Sequence, residues 1–183
     1  MATSSNIKVE RSARFISPKG RASYPHLFTP QAFEGGDPKY QLTLMLPKGD
    51  VADNYLVTLR KSQESAISAL YPKKKPAQFD QFGVNDGDDN DDPEMHGHWL
   101  IKATNKARPA CVDRNGQEIV ESSVIYGGCY VRANICAKAY GTPSKGGVSL
   151  ELVAVQFIED GTPFSASMRA ISEGANEFAD ADM

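Results

Sequence analysis

The 183-residue chain has few of the residues from which disulfide, zinc or membrane-spanning structures are built. Its three cysteines, Cys111, Cys129 and Cys136, are an odd set without a CxxC spacing, which argues against a disulfide framework or a zinc site. Cys129 falls at an apolar position of a strand pattern, which predicts a reduced, packed thiol. No apolar run is long enough to span a bilayer, and residues 1–10 lack the apolar stretch of a signal peptide. We therefore expect a cytoplasmic protein that does not associate with membranes.

Catalytic motifs are also lacking. No nucleophile–base pair and no glycine-rich phosphate loop before a helix is present. The acidic loop 86–94 departs from the EF-hand pattern, because Asp91 stands where the glycine belongs, and His96 and His98 have no third nitrogen or thiolate ligand placed near them. We expect a solvated loop, no metal or other cofactor, and no enzymatic activity. The enzymatic alternative is a Mg²⁺-dependent nuclease that uses carboxylates of the Asp86–Asp92 loop.

Charge is strongly segregated along the chain, although the net charge is only −3. Residues 1–84 carry 12 basic and 7 acidic groups, and residues 95–158 carry 7 basic and 4 acidic groups. The acids are concentrated in residues 85–94, with 6 acids and no base, and in residues 159–183, with 6 acids and 1 base. A cationic body with two acidic segments can attract a polyanion through its local field.

The segment from Cys129 to Tyr140 alternates between two kinds of residue. One parity is small or apolar, and the other carries Tyr130, Arg132, Asn134, Lys138 and Tyr140, with Cys136 as the exception. Because side chains alternate across a β-strand, one face can enter a core while the other is exposed. Aromatic rings interleaved with cations suit single-stranded nucleic acid, whose bases stack on rings and whose phosphates contact Lys and Arg. An ordinary amphipathic strand would also explain the pattern.

A second strand, Trp99 to Arg108, has the same character, with a basic parity formed by Lys102, Lys106 and Arg108. Together the two strands predict a cationic groove that bears aromatic rings, provided that they line the same side of a barrel. Tyr24, His26 and Phe28 are weaker additions to the predicted groove.

The order of elements predicts a mainly β fold. Alternation and turn residues indicate about five strands, and the apolar spacing of residues 51–70 indicates one helix between the second and third strands, with Asp50 as its N-cap. Short antiparallel strands with one helix favour a five-stranded OB-fold-like barrel. We expect a DNA-binding domain over residues 1–170 and a flexible acidic tail over residues 171–183.

The tail carries Phe178 among the acids Glu177, Asp180 and Asp182. A solubilising tail is the simplest interpretation. The functional interpretation is a polyanion mimic that is also a docking peptide for protein partners.

Taken together, these segments resemble the tailed-phage single-stranded-DNA-binding protein family. The resemblance runs from about Phe15 to Thr162, and the run 126–133 (Tyr-Gly-Gly-Cys-Tyr-Val-Arg-Ala) is its most specific part. It implies an OB-fold, binding of single-stranded DNA without sequence preference, protection of that DNA, and recruitment of replication proteins through the acidic end. Relatives often finish on an aromatic residue, whereas this chain ends at Met183 and has Phe178 inside the tail.

The leading hypothesis is a phage protein that coats single-stranded DNA during replication or recombination. The DNA-contacting residues are predicted to be Tyr130, Arg132, Lys138, Tyr140, Lys102, Lys106, Arg108 and Tyr24. The expected partners are single-stranded DNA and, through the tail, phage or host replication proteins. A homodimer is the alternative to a monomer. The alternatives are the Mg²⁺ nuclease and a phage structural or decoration protein.

Overall fold

The structure is a computed structural model and describes residues 6–32 and 35–164. In this part of the chain it contains ten strands, one α-helix and two short 3₁₀ turns, Gly87–Asp89 and Pro93–Met95. The strands are β1 Lys8–Arg11, β2 Phe15–Ile16, β3 Gly20–Gln31, β4 Lys39–Pro47, β5 Gln78–Gln81, β6 Val84–Asp86, β7 His98–Asn105, β8 Ala110–Val112, β9 Tyr130–Gly141 and β10 Lys145–Glu159, and the helix is α1 Asp50–Leu70.

Five long strands close into a barrel. The order around it is β3, β4, β7, β10 and β9, and β9 pairs with β3 to complete the circle. All of these pairings are antiparallel except β7 with β10, where Glu151 of β10 lies opposite Thr104 of β7. This confirms the predicted mainly β, five-stranded barrel of OB type.

The core lies inside the barrel, where the apolar parity of each strand meets. Leu42, Leu44 and Leu46 of β4 lie opposite Ala103, Ile101 and Trp99 of β7, and most of these side chains are buried. The small residues of β9 complete the core, and Cys129 just before that strand is fully buried. Burial raises the pKa of the Cys129 thiol to about 11, as expected of a packed thiol.

Helix α1 lies between β4 and β5, which places it between the second and third strands of the barrel, as predicted. It packs against β9, β1 and β10 through an apolar stripe that includes Tyr55 and Leu59. The predicted N-cap is wrong by one residue: Gly49 occupies that position, with no side-chain cap, and Asp50 is the first helical residue. An acid in the first turn still interacts favourably with the helix dipole.

Five shorter strands extend the sheet around the barrel, and the sequence pattern did not predict most of them. β1 and β2 pair with β9, whereas β5 and β8 pair with β10 and β6 pairs with β7. Their side chains are largely exposed, so no alternation of apolar and polar residues marks them. The parity change in residues 148–158 is typical of a bulge or of burial on both faces, and the register of β10 is irregular between Leu152 and Ala154, in agreement with a bulge.

Strand β7 ends earlier than predicted, at Asn105 rather than near Arg108. The Asn105 side chain accepts a hydrogen bond from the Ala107 N–H at 2.9 Å and donates one to the Leu152 carbonyl at 2.8 Å. These two bonds turn the chain at the strand end and hold Asn105 against β10.

Within the described residues, no helix combines the length and the apolar character that crossing a membrane requires. The predicted domain boundary at residues 170–171 lies outside the described part of the chain.

Candidate nucleic-acid interface

One open groove of about 700 Å³ lies on the outer surface of the barrel, and we call it the lysine groove. It crosses β1, β9, β10 and β7, so residues from distant parts of the chain face each other across it. The lining residues are Ile7, Val9, Arg11, Lys39, Phe82, Gly83, Lys102, Thr104, Asn105, Lys106, Ala107, Lys138, Tyr140, Ser149, Leu150 and Glu151. Four of the predicted site residues meet here: Lys102, Lys106, Lys138 and Tyr140.

The groove is cationic. Arg11, Lys39, Lys102, Lys106 and Lys138 line it, and Glu151 is the only acid among the described lining residues. A concave surface of one charge sign concentrates the opposite charge near it.

The strand register explains how the groove acquires its side chains. Lys138 and Tyr140 stand on the outward parity of β9, and Lys138 is paired with Arg11 of β1 on one side and with Ser149 of β10 on the other. Lys102 stands on the outward parity of β7. Lys106 follows the end of β7 and lies 3.3 Å from an Asp37 carboxylate oxygen, in an exposed ion pair that water and salt screen strongly.

The ring of Tyr140 lies across the neighbouring strand, over Gly147. The two residues are register partners, and a Cβ at Gly147 would stand only 2.6 Å from the Tyr140 hydroxyl oxygen. Only glycine leaves room for the ring in this position. Partial burial raises the pKa of the Tyr140 hydroxyl above its ordinary value, so the side chain is a neutral phenol at physiological pH.

Phe82 adds a second ring to the groove and is 52% exposed. It follows β5, and its N–H donates to the Val148 carbonyl at 2.8 Å, which holds the backbone against β10. A large exposed aromatic side chain beside lysines can offer a base a stacking surface.

Tyr130 and Arg132 stand on the same face of β9 but outside the lining of the lysine groove. The Lys19 ammonium nitrogen lies 5.3 Å from the Tyr130 ring centroid and 2.7 Å from a Glu159 carboxylate oxygen. Arg132 is exposed, and its Nε–H donates to the Ser17 carbonyl at 3.1 Å.

The remaining two predicted residues also lie outside the groove lining. The Arg108 guanidinium stacks on Phe28, with its central carbon 4.7 Å from the ring centroid. Tyr24 is 62% exposed, has a positive φ of 47°, and lines a separate pocket together with Tyr126 and Phe164. The structure therefore brings four of the eight predicted residues into one groove and leaves four around it.

Two cations and one aromatic ring of the groove were not predicted as site residues from the sequence: Arg11, Lys39 and Phe82. Arg11 is in an exposed strand whose outward face depends on its pairing with β9. Lys39 begins β4, and Phe82 comes directly after the short strand β5. The only sequence signal for these three residues is a cation or an aromatic ring next to a glycine or at the end of a strand. That signal is common in proteins, so it does not identify a site.

Most residues of the acidic loop are exposed, as expected of a solvated loop, but the loop also makes specific ion pairs and hydrogen bonds. The Lys48 ammonium lies 2.6 Å from an Asp86 carboxylate oxygen and 2.5 Å from one of Asp88, and it is also 4.8 Å from the Trp99 ring centroid. Asp86 and Asp92 each accept a backbone N–H at the start of a short 3₁₀ turn. The hydrogen bonds from Lys48 lower the pKa of Asp86 and Asp88 and raise that of Lys48.

These contacts bear on the nuclease alternative. Two of the carboxylates proposed to hold Mg²⁺ are bound to an ammonium group instead. In addition, no group of three or more His, Cys, Asp or Glu side chains arranged to hold a metal ion is found in residues 6–32 and 35–164.

The predicted partner-binding residues of the tail, Glu177, Phe178, Asp180 and Asp182, lie outside the described residues.

Known proteins resemble the chain over most of its length. It is 29% identical to protein p50 of Acyrthosiphon pisum secondary endosymbiont phage 1, over 89% of this chain and 91% of that protein. The single-stranded DNA-binding protein of bacteriophage Enc34, solved in complex with single-stranded DNA, is 28% identical with a TM-score of 0.71, over 83% of this chain and 89% of that one. The single-stranded DNA-binding protein gp2.5 of bacteriophage T7 shares the fold, at 20% identity and a TM-score of 0.61, over 88% of this chain and 94% of that one.

The family model described as the ssDNA-binding protein of Enterobacter phage Enc34 matches residues 13–183. That match covers nearly the whole chain. The chain therefore belongs to the Enc34 phage single-stranded-DNA-binding protein family.

Proposed function

We propose that this protein binds single-stranded DNA without sequence preference and holds it in the lysine groove. The observation that carries the proposal is the convergence of five cations and the Tyr140 ring around one open groove. Family membership supports single-stranded DNA as the ligand, and the groove supports the location of its binding site.

The proposed contacts divide between charge and stacking. Lys39, Lys102 and Lys106 take phosphates at one side of the groove, and Arg11 and Lys138 lie at the other. Bases stack on Tyr140 and Phe82. Phosphates and ring faces are common to all nucleotides, so these contacts carry no sequence information.

Tyr130 and Arg132 extend the proposed path beyond the groove. They share the outward parity of β9 with Lys138 and Tyr140, and a strand rises about 3.3 Å per residue, so Arg132 lies about 20 Å along β9 from Lys138. A strand of a few nucleotides reaches that far. Arg108 and Tyr24 are proposed as peripheral contacts, each beside a ring or pocket of its own.

The proposed biological role is the coating and protection of single-stranded DNA during phage replication or recombination, in the cytoplasm of the host. The acidic tail is proposed to compete with DNA for the cationic groove and to recruit replication proteins through Glu177, Phe178, Asp180 and Asp182. A monomer and a homodimer are both compatible with this role.

The first experiment is a fluorescence-anisotropy titration of labelled oligo-dT over a range of salt concentrations. If three to five cations neutralise phosphates, the slope of log affinity against log salt is about −2 to −3.5. Oligo-dT and a mixed-sequence oligonucleotide of equal length should bind with similar affinity. A salt-independent affinity, or a strong preference for one sequence, would contradict the proposal.

Removal of residues 175–183 tests the role of the tail. The truncated protein should bind oligo-dT more tightly at low salt, because a competing polyanion is gone. Phe178→Ala in the full-length protein is the control, since it keeps every acid and should leave this competition intact. Unchanged or weaker binding by the truncated protein would rule out competition.

A further inference from the structure

The acid Glu151 stands in the cationic groove and has no obvious place in a site for a polyanion. Its side chain is only 14% exposed, and it is the only acid among the described residues that line the groove. Its carboxylate occupies a position in the lysine groove where a DNA phosphate would be expected to bind.

The contacts of Glu151 are those of a bound anion. Arg11 donates from Nε to one carboxylate oxygen at 2.9 Å and from Nη2 to the other at 3.2 Å, in a two-point contact. The Lys138 ammonium lies 3.7 Å from the second oxygen. The Cys136 thiol lies 3.9 Å from the first.

The strand register fixes this arrangement. Glu151 of β10 is opposite Cys136 of β9, and Lys138, two residues further along β9, is opposite Arg11 of β1. All four side chains therefore share the outer face of three neighbouring strands. Guanidinium groups bind carboxylates and phosphates with the same two-point geometry.

We propose that Glu151 is an internal competitor of the DNA phosphates: in the free protein its carboxylate occupies Arg11 and Lys138, and DNA must displace it from them. The inference rests on the proposed function, since it concerns how the same groove sets its affinity. It assigns to Glu151 the role of lowering both the affinity and the salt sensitivity of binding. Only ion pairs and hydrogen bonds are exchanged, and no covalent step is involved.

Glu151→Gln tests the proposal, because it removes the charge and keeps the size and one acceptor oxygen. The variant should bind oligo-dT at least about threefold more tightly at low salt, as expected when a like charge is removed a few ångströms from a phosphate. Its salt slope should be steeper by up to about 1.4, because two further cations become available.

Glu10→Gln is the matched control. Glu10 precedes Arg11 on β1, is exposed, and does not line the groove, so its loss changes the net charge by the same amount at nearly the same place. This variant should bind like the wild type. An equal gain in both variants would show a general field effect and overturn the proposal.

Two further results decide the remaining cases. Weaker or unchanged binding of oligo-dT by folded Glu151→Gln, with the wild type binding normally, would overturn the proposal and show that the carboxylate at most orients Arg11. A titration with pyrophosphate is independent of DNA: Glu151→Gln should bind it more tightly than the wild type and Glu10→Gln do. If pyrophosphate behaves so while no variant binds oligo-dT, the proposed function fails, and the competition with DNA phosphates fails with it; Glu151 is then a competitor of free phosphate anions only.

Discussion

Replacement of Tyr140 by alanine tests whether a base stacks in the lysine groove. The ring lies over Gly147 at the surface of the barrel, where one face can meet a base. Loss of one stacked base costs about 1–3 kcal/mol, which corresponds to about 5- to 150-fold in affinity. Anisotropy with labelled oligo-dT at constant salt measures this loss.

Two controls separate stacking from other effects. Tyr140→Phe keeps the ring and loses only the hydroxyl, so it should bind within about twofold of the wild type if stacking dominates. Chemical denaturation shows whether Tyr140→Ala is folded under the assay conditions, since the half-buried ring also contributes to stability. Normal binding by folded Tyr140→Ala would refute the stacking model, and a loss in Tyr140→Phe as large as in Tyr140→Ala would point to the hydroxyl instead.

Two further predictions concern the surroundings of the groove and the acidic loop. Gly147→Ala should weaken oligo-dT binding as Tyr140→Ala does, because a Cβ would displace the ring; an unchanged affinity would show that the ring position is unimportant. Lys48 lowers the pKa of Asp86 and Asp88, so the stabilisation from this contact is full above about pH 4 and is lost as pH falls through the lowered pKa values. Carboxyl NMR titration should show midpoints below the ordinary value in the wild type and a return toward it in Lys48→Met; equal midpoints in both proteins would contradict the role of Lys48.

Family membership also decides between the functional alternatives drawn from the sequence. The expectation of a non-enzymatic DNA-binding protein of phage type is confirmed by the match over residues 13–183. The Mg²⁺ nuclease and the decoration protein lose their support, and the ion pairs of Asp86 and Asp88 with Lys48 give those acids a structural role.

The alternation in β9 was the most informative sequence signal, and it succeeded because period-two patterns are local. It correctly placed Lys138 and Tyr140 on the outer face and the small residues of β9 in the core. Parity does not give position along a strand, however. Tyr130 and Tyr140 share one face, yet only Tyr140 lines the lysine groove.

The rest of the groove depends on long-range pairing that the sequence does not encode locally. Arg11 enters it because β1 pairs with β9, and Lys102 enters it because β7 and β10 lie side by side in parallel. Phe82 is held there by its hydrogen bond to Val148 of β10. The contact between Glu151 and Arg11 could not be predicted from local sequence for the same reason, because the two residues are 140 positions apart.

The central claim is that DNA follows the lysine groove, and a comparison of two triple variants tests it most directly. Lys39, Lys102 and Lys106 line the groove, whereas Lys73, Lys74 and Lys75 follow α1 and do not. Replacing either set with glutamine changes the net charge equally. The groove variant should bind oligo-dT more weakly, with a salt slope shallower by about 2, while the other variant keeps the wild-type slope. Equal slopes in the two variants, or a loss confined to the variant at residues 73–75, would contradict the account.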